Sequence, residues 1–116
     1  MDDAVMKRLR ADRDKVERAA AAKEAEREER LAQTKAKGRA AGEVWVRNSA
    51  AYEPLKQLAA GSSDAIEKEV WLPLRSEGIV TEQEWRERAK AAAMLAYQAA
   101  FIGAVNEALQ HVNADR

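Results

Sequence analysis

The chain contains no cysteine, one histidine, two prolines and five glycines, and only six of its 116 residues are aromatic. Without cysteine there is no disulfide scaffold and no thiolate zinc site. So little glycine and proline excludes a collagen-like or a Pro/Gly-rich disordered chain. Strand signals are also missing. No stretch of Val, Ile, Thr and aromatic residues alternates over four or more positions, and Val44, Trp45 and Val46 lie inside a helical pattern. Net charge is absent too, because 20 Lys and Arg balance 20 Asp and Glu. There is no long hydrophobic run. The least polar stretch, residues 89–105, still holds Lys90, Gln98 and Gly103 and consists mostly of alanine, so no membrane segment is expected. The start, Met1-Asp2-Asp3, lacks the basic residues and apolar run of a secretory signal, and a cytoplasmic protein is expected.

What is present is alanine, in runs at 19–22, 91–93 and 99–100, with many Glu, Lys, Arg, Leu and Gln residues. These are the strongest helix formers, so the expected class is all-α. Arginine exceeds lysine, and with so much alanine this points to a bacterial or phage gene.

The chain divides near Gly38–Gly42. Residues 1–42 hold 12 basic and 9 acidic residues and no aromatic ring, whereas residues 43–116 hold 8 basic and 11 acidic residues and all six aromatics. The expectation is a charged helical arm, 1–42, and a helical domain, 43–116. The architecture predicted is a long charged N-terminal helix followed by a compact three-helix bundle.

The first helix should run from about Asp3 to Lys37, capped by Asp2 or Asp3, with pairs such as Asp3–Lys7, Asp14–Arg18 and Glu26–Arg30 along it. Val5, Leu9 and Val16 begin a heptad-like seam, but the positions that continue it become Lys23, Glu26 and Arg30. A coiled coil needs apolar residues over three or four heptads. The segment is therefore either a solvated arm or a helix that docks, on a partner or a second copy, through Val5, Leu9 and Val16.

Gly38 and Gly42, four apart, read as a hinge rather than as a close helix crossing. A helix from Glu43 to Ala60 should follow, stopped by Gly61, with a kink or fresh start near Ala50–Glu53 because of Pro54. The next should run from Asp64 to Leu72, with Asp64 and Glu67 at capping-box spacing and Pro73 ending or bending it. Thr81 and Glu84 form the clearest capping box, and a last helix should run from Glu82 to Val112. The expected core is Val44, Trp45, Leu55, Leu58, Ile66, Val70, Trp71, Trp85, Leu95, Ile102, Val105 and Leu109. Met94, Tyr97 and Phe101 widen the apolar face of the last helix. A stripe of small residues, Ala89, Ala92, Ala96, Ala99 and Gly103, lies beside them and would admit a close neighbour.

Chemistry-bearing constellations are few. A nucleophilic Ser needs an adjacent base, and the one histidine, His111, lies near the C-terminal end of the sequence. Glu107 and His111 share a helix face, but two ligands do not make a metal site. Carboxylate pairs such as Glu67/Glu69 and Glu82/Glu84 are spaced to point apart. No glycine-rich loop follows a strand. No enzyme activity, cofactor or metal is expected.

What remains is a non-enzymatic protein–protein interaction module, a regulator, inhibitor or accessory factor that occupies a partner surface and forms a homodimer. Val5, Leu9, Val16 and Trp45 are its candidate contacts, Trp45 because tryptophan is enriched at interface hot spots. The alternative is a nucleic-acid-associated protein using Arg30, Lys35, Lys37 and Arg39, a stretch free of acidic residues.

Overall fold

The computed structural model describes residues 2–49 and 51–114, and those residues are helices and turns with no strand among them. The all-α class is therefore as expected. The chain forms two compact units, Met1–Arg30 and Leu31–Arg116. The sequence division at 42/43 thus differs from the packing division, because residues 31–42 belong with the second unit.

The first unit is helical from Asp3 onward, as the beginning of helix α1 (Asp3–Ser49). The Asp2 carboxylate accepts the Ala4 N–H at 3.0 Å, supplying the expected cap. Every side chain from Lys7 to Arg30 is exposed, and Val5 and Met6 are half-buried. Asp14 pairs with its neighbour Arg13 at 3.0 Å, and Glu24 pairs with Arg27 at 2.9 Å. Such solvated pairs contribute little to stability.

The second unit contains the remainder of α1, then α2 (Tyr52–Ala59), α3 (Ser63–Ile66), a π-helical stretch (Glu67–Trp71), α4 (Leu72–Ser76), α5 (Glu82–Arg86) and α6 (Ala92–Ala114). α6 lies at its centre, in contact with α2, the π stretch and α5. The core joins Leu55 and Leu58 of α2, Ile66, Val70 and Leu74 of the following rod, and Met94, Tyr97, Phe101 and Val105 of α6. Among the described residues no buried side-chain nitrogen or oxygen lacks a partner.

Several expectations are corrected. α1 runs unbroken through Gly38 and Gly42, so these glycines are not a hinge. A Cβ at Gly38 would lie 3.0 Å from the Tyr97 Cα and closer still to its carbonyl oxygen, and one at Gly42 would lie 2.7 Å from the Phe101 carbonyl oxygen. Their missing side chains let α1 and α6 approach backbone to backbone. The small residues that do this are Gly38 and Gly42; Thr34, four residues earlier, is also buried. The stripe foreseen on the last helix is split: Ala89 lies in the turn before α6, Ala92 and Ala99 are exposed, and only Ala96 and Gly103 are half-buried.

Proline acts differently at its two positions. Ala51 is extended (φ −122°, ψ 132°) and α2 starts at Tyr52, which puts Pro54 in a first turn, where it needs no partner for an N–H it lacks. Ala50, part of the expected kink, lies outside the described residues. Pro73 does not end its helix. The π-helical stretch just before it widens the backbone, and helical winding continues to Ser76. A wider turn relieves the clash of the proline ring with the preceding carbonyls. Gly61 (φ 81°) and Gly78 (φ 69°) close α2 and α4 in left-handed conformations. In each case the paired return bonds of a Schellman motif are made, Gly61 to Leu58 and Ser62 to Gln57, and Gly78 to Arg75 and Ile79 to Leu74.

The helix after Gly61 starts at Ser63, one residue early, and Ser62 makes no side-chain cap bond, so Asp64 and Glu67 do not form a capping box. The Thr81/Glu84 box is complete, with the Glu84 N–H donating to Thr81 Oγ1 at 3.1 Å and the Thr81 N–H donating to Glu84 Oε1 at 2.9 Å. Thr81→Ala should cost about 1 kcal/mol in thermal unfolding.

The expected helix from Glu82 to Val112 is two helices, separated by turns over residues 87–91. No glycine or proline marks this break. Arg88 donates to the Trp85 carbonyl at 3.1 Å and lies over the rings of Trp85 (4.7 Å) and Trp71 (5.8 Å). The local contacts to Trp85 and the tertiary one to Trp71 together override a high local helix propensity. The break also shifts the buried face of α6. Met94, Tyr97 and Phe101 are core, whereas Leu95 (44%) and Val112 (48%) are substantially exposed. Val44 (43% exposed) is likewise outside the core. Trp45, Trp71, Trp85, Ile102 and Leu109 are half-buried around it.

A candidate interaction groove

The second unit carries an open groove of about 680 Å³. One wall is the C-terminal part of α1, which contributes Lys37, Ala41, Val44 and Trp45. The facing wall comes from the π stretch with Glu69, α4 with Pro73, and the residue that caps α4, Glu77. These recur every four residues and so form one ridge. Tyr97 and Phe101 of α6 form the floor. The groove exists because Gly38 and Gly42 draw α1 against α6 while the rod of α3, π stretch and α4 packs on the same helix from Ile66, Val70 and Leu74.

Trp45 is held on two sides. Its indole N–H donates to Glu69 Oε2 at 2.9 Å, bridging the two walls, and its ring lies 6.3 Å from that of Phe101, tilted by 53°. Both are preferred aromatic arrangements, and they fix the ring before anything binds. Tyr97 is buried in the floor. Desolvation, and secondarily the charge of Glu77, raises its hydroxyl above the ordinary phenol value. Its neutral form is therefore favoured by folding, and that stability is lost only as pH rises through the alkaline range.

Beside the groove Arg39 clamps α1 to α6. Its guanidinium is bidentate to Glu107, with Nη1 donating to Oε1 at 2.9 Å and Nη2 donating to Oε2, while Nε donates to Glu43 at 2.9 Å. The Arg39 bond holds the Glu107 carboxyl below its ordinary value, and the bonds to Glu107 and Glu43 raise Arg39. A carboxyl depressed by folding stabilises above its unfolded pKa and loses that contribution as pH falls through its folded value. Glu107→Gln should therefore lower the unfolding midpoint at neutral pH. The difference from wild type should shrink as pH falls below the ordinary carboxylate range.

The candidate residues from sequence separate into groups. Val5, Leu9 and Val16 share one face of the first unit; Leu9 is 55% and Val16 60% exposed. Trp45 lies in the second unit, at the groove. Of the basic residues, Arg30 falls in the first unit. Lys37 lines the groove, Lys35 is exposed, and Arg39 is engaged with two carboxylates. Lys35, Lys37 and Arg39 do not form a single exposed basic face. His111 and Glu107 gather no third ligand, as no cluster of three metal-ligating side chains occurs among the described residues. No helix of the described residues is long and apolar enough to cross a membrane.

Tyr97, Phe101, Glu69 and Glu77 were not singled out as site residues from sequence. A legible signal was available for the α1 wall. Leu31, Thr34, Gly38, Ala41, Gly42 and Trp45 follow helical spacing and are all at least half-buried, but the pattern is hidden by its small residues. No protein-family model, no curated protein and no solved structure matches this chain.

Proposed function

We propose that the chain is a small non-enzymatic helical interaction module that acts by engaging a protein surface, with the groove beside Trp45 as its receiving site. The supporting observation is the combination of an apolar floor, a pre-positioned tryptophan and an exposed Val44 on the rim. Fixed aromatic anchors in open grooves suit an amphipathic helix, whose apolar side chains fill the groove at helical spacing. A cytoplasmic setting in a bacterium or phage and a regulatory or accessory role belong to the same proposal and rest on composition alone.

Nucleic-acid binding has less in its favour, because Arg39 is held by Glu43 and Glu107. The test is capture of partners by the full chain, with and without nuclease, comparing wild type with Val44→Glu and Lys35→Glu. The proposal requires capture that survives nuclease and fails with Val44→Glu. Capture that vanishes with nuclease or with Lys35→Glu, and ignores Val44→Glu, contradicts it.

A further inference from the structure

We infer that a second pocket, separate from the groove, binds a free amino acid with an apolar side chain. The pocket has a volume of about 370 Å³ and is lined by Ser63, Ile66, Glu67, Trp71, Arg88 and Gln98. None of these residues lines the groove, so the inference stands apart from the groove reading. Its volume falls within the range of small-ligand sites, about 300–1,000 Å³.

Three side chains define the ligand. Arg88 is half-buried, lies over the Trp71 and Trp85 rings, and donates Nη1 to the Trp85 carbonyl at 3.1 Å. It makes no ion pair among the described residues. Stacking engages the faces of a guanidinium and leaves its edge N–H groups for a carboxylate. Gln98 stands in the same pocket. Its Oε1 accepts the Trp71 indole N–H at 2.9 Å, which fixes the amide and leaves its NH2 group as a donor. Glu67 is the other charged residue of the lining. It is exposed, and it is not paired with Arg88. One pocket thus presents a cation and an anion that do not neutralise each other. A simple anion on Arg88 would be repelled by Glu67, and a simple cation on Glu67 would be repelled by Arg88. A ligand with both charges suits both, its carboxylate on Arg88 and Gln98 and its ammonium on Glu67. Ile66 and Trp71 supply apolar surface for its side chain. Glu67 and Trp71 are also the first and last residues of the π-helical stretch, a backbone form that recurs at functional sites.

The test is two-dimensional NMR of the nitrogen-labelled full chain, titrated with L-leucine. The indole N–H signal of Trp71 should shift and saturate, with a Kd on the order of 1 mM, while that of Trp45 in the groove stays in place. N-acetyl-L-leucine lacks the ammonium and L-leucinamide lacks the carboxylate, so each should bind about ten-fold more weakly or worse. Gln98→Glu keeps an oxygen for the Trp71 indole and sets a carboxylate beside Arg88. It should abolish binding with the far-UV circular dichroism unchanged. Glu67→Gln, at an exposed position, should reduce the affinity for L-leucine to that for its N-acetyl form. A Trp71 signal that does not move up to about 20 mM L-leucine overturns the inference. Equal responses to the three compounds, or binding that survives Gln98→Glu, overturn it as well.

Discussion

Replacing Gly38 and Gly42 by alanine is expected to destabilise the chain, against the usual sign of such a change. In a solvated helix each Gly→Ala substitution would gain about 1 kcal/mol, because alanine is the better helix former. Here each new Cβ would meet the backbone of Tyr97 or Phe101. Backbone cannot swing aside as the end of a flexible side chain can, so α1 and α6 must separate. Overpacking of this kind costs about 1–3 kcal/mol per site. Separation would also draw Arg39 away from Glu107. Gly103 is the internal control. It lies on α6, and the nearest neighbour of its Cβ would be the Arg39 guanidinium at 4.0 Å. Gly103→Ala should be neutral or gain up to about 1 kcal/mol. Urea denaturation of the three variants measures the contrast, and a gain for Gly38→Ala or Gly42→Ala would mean that the helices do not cross there.

Leu74→Ala should be among the most damaging simple truncations, at about 2–5 kcal/mol. Leu74 is fully buried and holds α4 in the core. In a domain of this size each 1 kcal/mol moves the thermal midpoint by about 4–8 °C, so loss of the cooperative transition near room temperature is a realistic outcome. The partner measurement is Leu95→Ala. Leu95 was a core residue on sequence periodicity, yet it is largely exposed on α6, and its truncation should change stability by about 0.5 kcal/mol or less. Equal effects at the two leucines would mean that the rotational setting of α6 is wrong.

Leu95 also shows what sequence could and could not reveal. The all-α class was legible because propensity and the near absence of glycine and proline agree along the whole chain. The Thr81 box and the stop at Gly61 were legible because they depend on a few adjacent residues. The face of α6 was not. Leu95, Ile102, Val105, Leu109 and Val112 make as regular a stripe as Met94, Tyr97, Phe101 and Val105. Choosing between them depends on where the α6 helix begins, and that is set by Arg88 with its near neighbour Trp85 and with Trp71, seventeen residues earlier. The glycine pair was misread for a related reason. Gly38 and Gly42 have the same local cost in a hinge and in a close crossing, and only the partner backbone distinguishes them. The groove depends on that crossing, so Val44 and Trp45 could be marked as apolar but not as the edge of a cleft. Sequence leaves open whether Pro73 ends or bends its helix, because a π-helical turn leaves no compositional trace.

Residues 31–48 of α1 fold as one body with α6 and so build the groove. Native-state hydrogen exchange of the full chain tests this most directly. The amides of residues 34–48 should exchange as slowly as those of 93–105, while those of 8–28, whose side chains are all exposed, should exchange faster. Exchange of residues 34–48 at the rate of 8–28, with 93–105 still protected, would mean that this part of α1 does not fold with α6.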